Sequence, residues 1–245
     1  MTIPAIDALV PMKEHSVRVP RKNYRDFCGR PLFFWVLEQL QESTYIGVII
    51  INTDCEFVLR EAPRHFDVKL LERPDFLLGD SVPIQPLISY DIQRSTKDHF
   101  LQTHATNPLL TAETIDRSVE AFFSQSDHDS LMSVTPLRKR YYWPDGRPVN
   151  HDPDELLLTQ DLPPLLEENS CIYIFSREVF ARRNHRLGDR PLLFPMDPLE
   201  AVDIDDMADL EIAEALMLKR LNVAEARIRN ADSAASSGPR GVDRP

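Results

Sequence analysis

Short apolar runs recur along this chain, and segments with the spacing of amphipathic helices fill most of the gaps between them. The runs are Ile6–Met12, Gly47–Thr53, Val68–Leu71, His99–Gln102, Ser130–Thr135 and Cys171–Phe175. After Gly29-Arg30-Pro31, the residues Leu32, Trp35, Val36 and Leu40 fall three to four apart, and Pro31 suits a first helical position. Asp54 is placed to cap a helix running toward Phe66, and a helix is expected over 83–95 with Pro83 and Pro86 near its start. Thr111 caps a helix with Ile115, Val119 and Phe122 on one face, another starts at Ser176, and a last one runs from about Asp206 to Arg227. Strands alternating with helices of 10–15 residues predict an α/β fold with a mainly parallel sheet covered on both faces.

The alternation breaks between about 137 and 170, where prolines and charges accompany Tyr141, Tyr142 and Trp143. This reads as an excursion from the sheet, a flap or a subunit contact. Small residues and proline dominate Ala231–Pro245, which is expected to be a disordered tail after one domain over 1–230.

The net charge of −11 argues against a general nucleic-acid binder, whose footprint is basic. Yet six Lys/Arg against two Asp/Glu give the stretch Lys13–Arg30 a local balance of +4. Charge beyond about 8 Å is largely screened at physiological salt, so this loop keeps its own sign. It follows directly on the first strand, the edge at which an open α/β sheet holds a polyphosphate. No glycine precedes Gly29, which excludes a GxGxxG turn or a Walker A loop there. Side chains must then carry the phosphates, and Lys13, Ser16, Arg18 and Lys22 supply three cations and a hydroxyl within ten positions.

Asp203-Ile204-Asp205 is the second chemical feature. Read as a strand, it turns both carboxylates to one face, roughly 7 Å apart at their Cα atoms, within reach of one hard cation such as Mg²⁺. Asp203 lies in an apolar run, where an unpartnered carboxylate is costly. Asp206 and Asp209 read instead as caps of the following helix. Gln102, Thr106 and Asn107 follow the fourth strand, and Arg73 ends the third.

Cys28, Cys55 and Cys171 form no metal or disulfide pattern, which fits a reducing cytoplasm. Met1–Ala8 has neither a basic lead nor a long apolar core, so no signal peptide is expected. No run approaches the ~18 apolar residues of a membrane span.

Taken in order, these fragments resemble the acylneuraminate cytidylyltransferases (CMP-sialate synthetases), which activate acidic 2-keto sugars. The first loop is similar to the family's Arg-x-x-Ser-x-x-x-Pro-x-Lys-Asn pattern through Ser16, Pro20, Lys22 and Asn23. The likeness continues through Gly29-Arg30-Pro31-Leu32, Asn52-Thr53-Asp54, Arg73-Pro74, Gln102 with Thr106-Asn107-Pro108-Leu109, Asn169, Ile172-Tyr173-Ile174 and Val202-Asp203-Ile204-Asp205. It covers residues 5 to 220.

The resemblance implies a Rossmann-like three-layer sandwich with a mixed sheet, a homodimer, and transfer of CMP from CTP to a sugar acid with release of pyrophosphate. It assigns Met12, Lys13, Ser16, Arg18, Lys22, Asn23 and Arg73 to CTP, with Lys13, Arg18, Lys22 and Asp203 as the catalytic set. Gln102, Thr106, Asn107 and Asn169 fall to the sugar, and Asp203 and Asp205 to Mg²⁺. Lys13 stands where the family has Arg, Asn107 where Ser is common, and Ser170 where Gly is usual, while Glu167-Glu168 add acid near the sugar. The alternatives are another sugar nucleotidyltransferase, an Asp-x-Asp glycosyltransferase, or a non-catalytic nucleotide-sugar binder.

Overall fold

A computed structural model describes residues 2–236 of the 245. Seven strands form one sheet in the order β5-β4-β1-β6-β8-β7-β9. They are β1 (Ile6–Met12), β4 (Ile46–Thr53), β5 (Val68–Glu72), β6 (His99–Gln102), β7 (Ser130–Leu137), β8 (Leu165–Ser176) and β9 (Pro191–Pro195). Only β8 runs antiparallel, to both β6 and β7, so the sheet is mixed and mainly parallel as expected.

The pleat sorts the core into two faces. Ile6, Ala8, Val10 and Met12 of β1, with Ile49 and Ile51, pack under α1 (Leu32–Glu42), α2 (Glu56–His65) and α4 (Ala112–Ser124). The intervening Leu9 and Ile50, with Phe100 and Phe175, meet α3 (Ile84–Ile92) and α5 (Arg177–Arg183) on the other side. Alternate residues point to opposite faces, and this gives the three layers. Each fully buried Leu, Ile or Phe contributes about 1.5–3 kcal/mol.

Thr111 accepts from Thr114 N–H, forming the cap as read, and Ser176, where a helix was expected to start, accepts from Val179 N–H. Asp54 is not a cap: α2 begins after Cys55, and Asp54 Oδ1 accepts from Glu14 N–H at 2.9 Å instead. The carboxylate thus fixes the first loop. Pro31 sits just before α1 rather than in it, ending a small ribbon of β2 (Asp26–Phe27) and β3 (Arg30–Pro31). Cys28 and Gly29 join that ribbon with φ of 51° and 88°, the paired positive values a tight two-residue hairpin requires.

The excursion is shorter than expected. Pairing of β7 with β8 continues to Leu137 opposite Leu165, so only 138–164 leaves the sheet. The last helix, α6 (Met207–Ser236), runs beyond Arg227 and takes in residues 231–236 of the expected tail. The rest of that tail lies outside the described residues. Among the described residues, no helix is long and apolar enough to cross a membrane.

Candidate active site

The ends of β1, β5 and β6 open onto a cleft of about 390 Å³. Lys13, Lys22, Asn23, Arg73, Asp80, His104, Thr106, Ser170, Asp203 and Asp205 line its polar part, and Leu77, Val82, Ile84 and Leu87 its apolar end. Cations from one end of the sequence and carboxylates from the other therefore line one cleft.

The basic loop is held from within. Asn23, buried, donates its Nδ2 to Lys13 O at 2.7 Å, and Lys22 starts a short 3₁₀ turn over Lys22–Tyr24. Arg18 Nη2 reaches Asp205 Oδ1 at 2.6 Å. Lys22 Nζ donates to Ile204 O at 2.8 Å and stands 3.7 Å from the same Asp205 oxygen. Lys13 crosses the cleft mouth to Asp80 at 2.7 Å, which holds the Asp80 carboxyl below its usual range. Asp80 gave no signal in the sequence. Ser16 and Arg18 do not themselves line the cleft, and Met12 is buried under it.

Residues 202–205 are an unpaired loop and not a strand, which corrects the sequence reading. The two carboxylates reach the same cleft for another reason. Ile204 is fully buried against Trp35, Leu210, Ala213 and Met217, and its N–H donates to Thr106 O at 2.9 Å. With Ile204 anchored inward, its neighbours on both sides line the cleft. Asp209 Oδ2 accepts from the Asp205 and Asp206 N–H groups, and Asp206 Oδ1 from Ala208 and Asp209, so these two do cap α6.

Asp203 Oδ1 is buried without a hydrogen-bond partner. Burial raises its pKa, a bond from Thr106 opposes this, and Asp205 adds to the rise. An orphaned carboxylate oxygen beside a second carboxylate fits a hard divalent cation. Among the described residues no group of three His, Cys, Asp or Glu forms a metal cluster, so substrate phosphates and water would complete the shell.

At the apolar end, Arg73 is almost fully buried and largely committed. Its Nε donates to Asn52 Oδ1 at 2.9 Å, and Nη2 to Met12 O and Asn52 O at 3.1 and 3.0 Å. Nη1, 3.9 Å from Asp54, is the part left for a ligand. Asn52 is in turn fixed by Asp91, whose carboxylate accepts from Nδ2 at 2.6 Å.

Of the residues assigned to the sugar, only Thr106 lines the cleft. Asn107 is buried, its Nδ2 3.5 Å from Val202 O. Asn169 sits in a β-bulge opposite Met132–Val134, where Ser133 Oγ and Cys171 N–H donate to its Oδ1 and its Nδ2 donates to Thr135. The bulge hands the cleft position to Ser170, at φ 58°. Gln102 is buried at the end of β6, and His104 lines the cleft in its place. Burial, then the charges of Arg186 and Lys22, push the His104 pKa down to about 4, so the ring is neutral at neutral pH.

The cytidylyltransferase family profile matches residues 8–229. The chain is 24% identical over 219 residues to pseudaminic acid cytidylyltransferase of Campylobacter jejuni subsp. jejuni serotype O:23/36 (strain 81-176), covering 85% of this chain and 94% of that protein. It is 26% identical over 223 residues to N-acylneuraminate cytidylyltransferase A of Danio rerio, covering 87% of this chain and 51% of that one. Among solved structures, CMP:2-keto-3-deoxy-manno-octonic acid synthetase complexed with CTP matches with a TM-score of 0.63 at 14% identity, over 88% of this chain and 99% of that one. At that identity the shared property is the fold. The family match spans nearly all of the sheet and both walls of the cleft, and the chain belongs to the cytidylyltransferase family.

Proposed function

We propose that this nucleotidyltransferase moves CMP from CTP to the anomeric 2-hydroxyl of an acidic 2-keto sugar and releases pyrophosphate. The observation that carries this reading is the docking of the basic loop on the aspartate loop: Arg18 and Lys22 meet Asp205 and Ile204 O beside the cleft that Lys22 and Asp205 line. Relatives named for pseudaminic and N-acylneuraminic acid support the class of acceptor.

In this reading Lys13, Ser16, Arg18 and Lys22 hold the triphosphate, and exchange of carboxylate for phosphate oxygens breaks the resting ion pairs. Asn23 and the Nη1 edge of Arg73 meet the cytidine, with Met12 O holding the guanidinium. Asp203 and Asp205 hold Mg²⁺, which when bound screens the phosphate charge. The sugar oxygen attacks the α-phosphorus, the bond to the β-phosphate oxygen breaks, and the proton passes to one of the two carboxylates. Asp203 is the one that burial makes more basic. Positioning and charge neutralisation carry the rate, as phosphoryl transfer generally requires.

A homodimer seated on 138–164 completes the reading, since Tyr142, Trp143, Leu156 and Leu158 there are exposed apolar groups. Three free cysteines suit a cytoplasmic enzyme. The test is mass spectrometry of products from CTP and Mg²⁺ with a panel of acidic 2-keto sugars and, separately, sugar 1-phosphates. A CMP-sugar from an unphosphorylated acid is expected; a nucleoside diphosphate sugar from a sugar phosphate would replace the reading.

A further inference from the structure

Arg186, in the loop after α5, has no task in that chemistry, yet three groups hold it. Its Nη1 donates to Gln102 Oε1, its Nη2 stands 3.9 Å from Glu168 Oε1, and its guanidinium carbon lies 3.4 Å from the centre of the Tyr173 ring. Tyr173 is the partner of Gln102 across the β6–β8 ladder, so both side chains rise on the same face, toward Arg186.

A guanidinium has donors only, so it must face the carbonyl oxygen of Gln102. Nε2 of Gln102 is then the atom that meets Thr103 O at 3.1 Å and His104 Nε2 at 3.0 Å. The Thr103 carbonyl can only accept, so the two ends of the amide agree. An amide nitrogen donates, and His104 Nε2 must therefore be the acceptor and carry no proton. Its hydrogen sits on Nδ1, which is what the ring can offer a ligand.

We propose that Arg186 and Gln102 are positioning residues that hold His104 as a neutral Nδ1–H donor, and that His104 is the specificity-determining contact to the acceptor's carboxylate. The acceptor half of this rests on the proposed function; the relay does not. Arg186 and Lys22 supply positive field at the ring, each larger than the opposing effect of Asp205. Glu168, which would oppose an anion, is taken up by the Tyr173 hydroxyl and by Arg186. A carboxylate is the oxygen group this surrounding favours over a neutral hydroxyl.

The experiment uses the full chain labelled with ¹⁵N-histidine, with His104→Asn identifying the resonance. Long-range ¹H–¹⁵N spectra should show His104 protonated at Nδ1 alone, and N-acetylneuraminic acid or 3-deoxy-manno-octulosonic acid should shift that nitrogen. Gln102→Glu keeps a partner for Arg186 but turns the donor into an acceptor, so Nε2 must gain a proton. In Gln102→Glu and His104→Phe the KM for the acid should rise about tenfold or more, the loss of one hydrogen bond to a charged group. CTP affinity by calorimetry should be unchanged. His104→Asn, with an amide N–H near the Nδ1 position, should retain most of the acceptor affinity. An Nε2–H ring in the native protein, or an acid that binds or turns over without moving the ring, overturns the inference. A ring that responds to the acid while CTP yields no pyrophosphate overturns the functional reading instead.

Discussion

Arg18 and Asp205 are 187 positions apart in sequence and 2.6 Å apart in space. Both side chains are about half exposed, so the pair contributes only about 0–1 kcal/mol to stability. A contact that weak is easily exchanged for a phosphate on one side and a cation on the other. Asp205→Asn should therefore melt within a few degrees of the native protein. Its pyrophosphate release should fall by roughly a hundredfold, the scale of losing one charge-stabilising group. Paired melting and rate measurements check this.

Ile204 is the reason the carboxylates reach the cleft. Its side chain is fully buried in the cluster under α6. Ile204→Ala should cost about 2–4 kcal/mol by cavity formation, read by urea unfolding. It should also lower turnover more than a buried alanine far from the cleft with equal loss of stability.

Asp91 gives the fold a pH signature. It is fully buried in α3 with Oδ2 unpartnered, and burial raises its pKa to about 7 against the opposing effects of Asn52, Arg73 and Arg94. A folded pKa above the unfolded one means the native state keeps the proton longer. The contribution is full below the ordinary carboxylate range and is lost as pH rises to about 7. Asp91→Asn removes that loss, so it should gain up to about 4 kcal/mol over the native protein above pH 7 and nothing in strong acid. Parallel melting curves across pH for the two proteins would contradict this.

Ser170 holds a left-handed backbone at φ 58°, a conformation that costs a non-glycine residue about 1 kcal/mol or more. The Tyr173 hydroxyl has one proton and gives it to Glu168, so across the 3.1 Å contact Ser170 donates to the phenol oxygen, and that tyrosine is not orphaned by removal of the serine hydroxyl. Ser170→Gly should raise the melting temperature by about 2–4 °C.

The sheet was legible because β-branched runs and helical spacing are dictated locally, and β1 and β6 fall where the sequence puts them. Arg18, Lys22, Asp203 and Asp205 were legible because clustered charge after a strand and spaced carboxylates are unusual. The route was not: 202–205 was read as a strand, whereas a buried isoleucine in a loop does the same service. Gln102 and His104 are two positions apart, and only tertiary packing decides which lines the cleft. Arg186 stands among other arginines, and nothing local marks it as the one stacked on Tyr173. Asp54 looked like a cap because Asp before a helix often is one; a long-range bond to the first loop won.

The most direct test of the two-walled site is pyrophosphate release from CTP with an acidic 2-keto sugar, comparing the native protein, Lys22→Met and Asp203→Asn, each with Mg²⁺ and with chelator. Release should need the sugar and the metal in the native protein and should fall by roughly a hundredfold or more in either variant, with both still folded. Near-native, metal-independent release from Asp203→Asn would contradict the account.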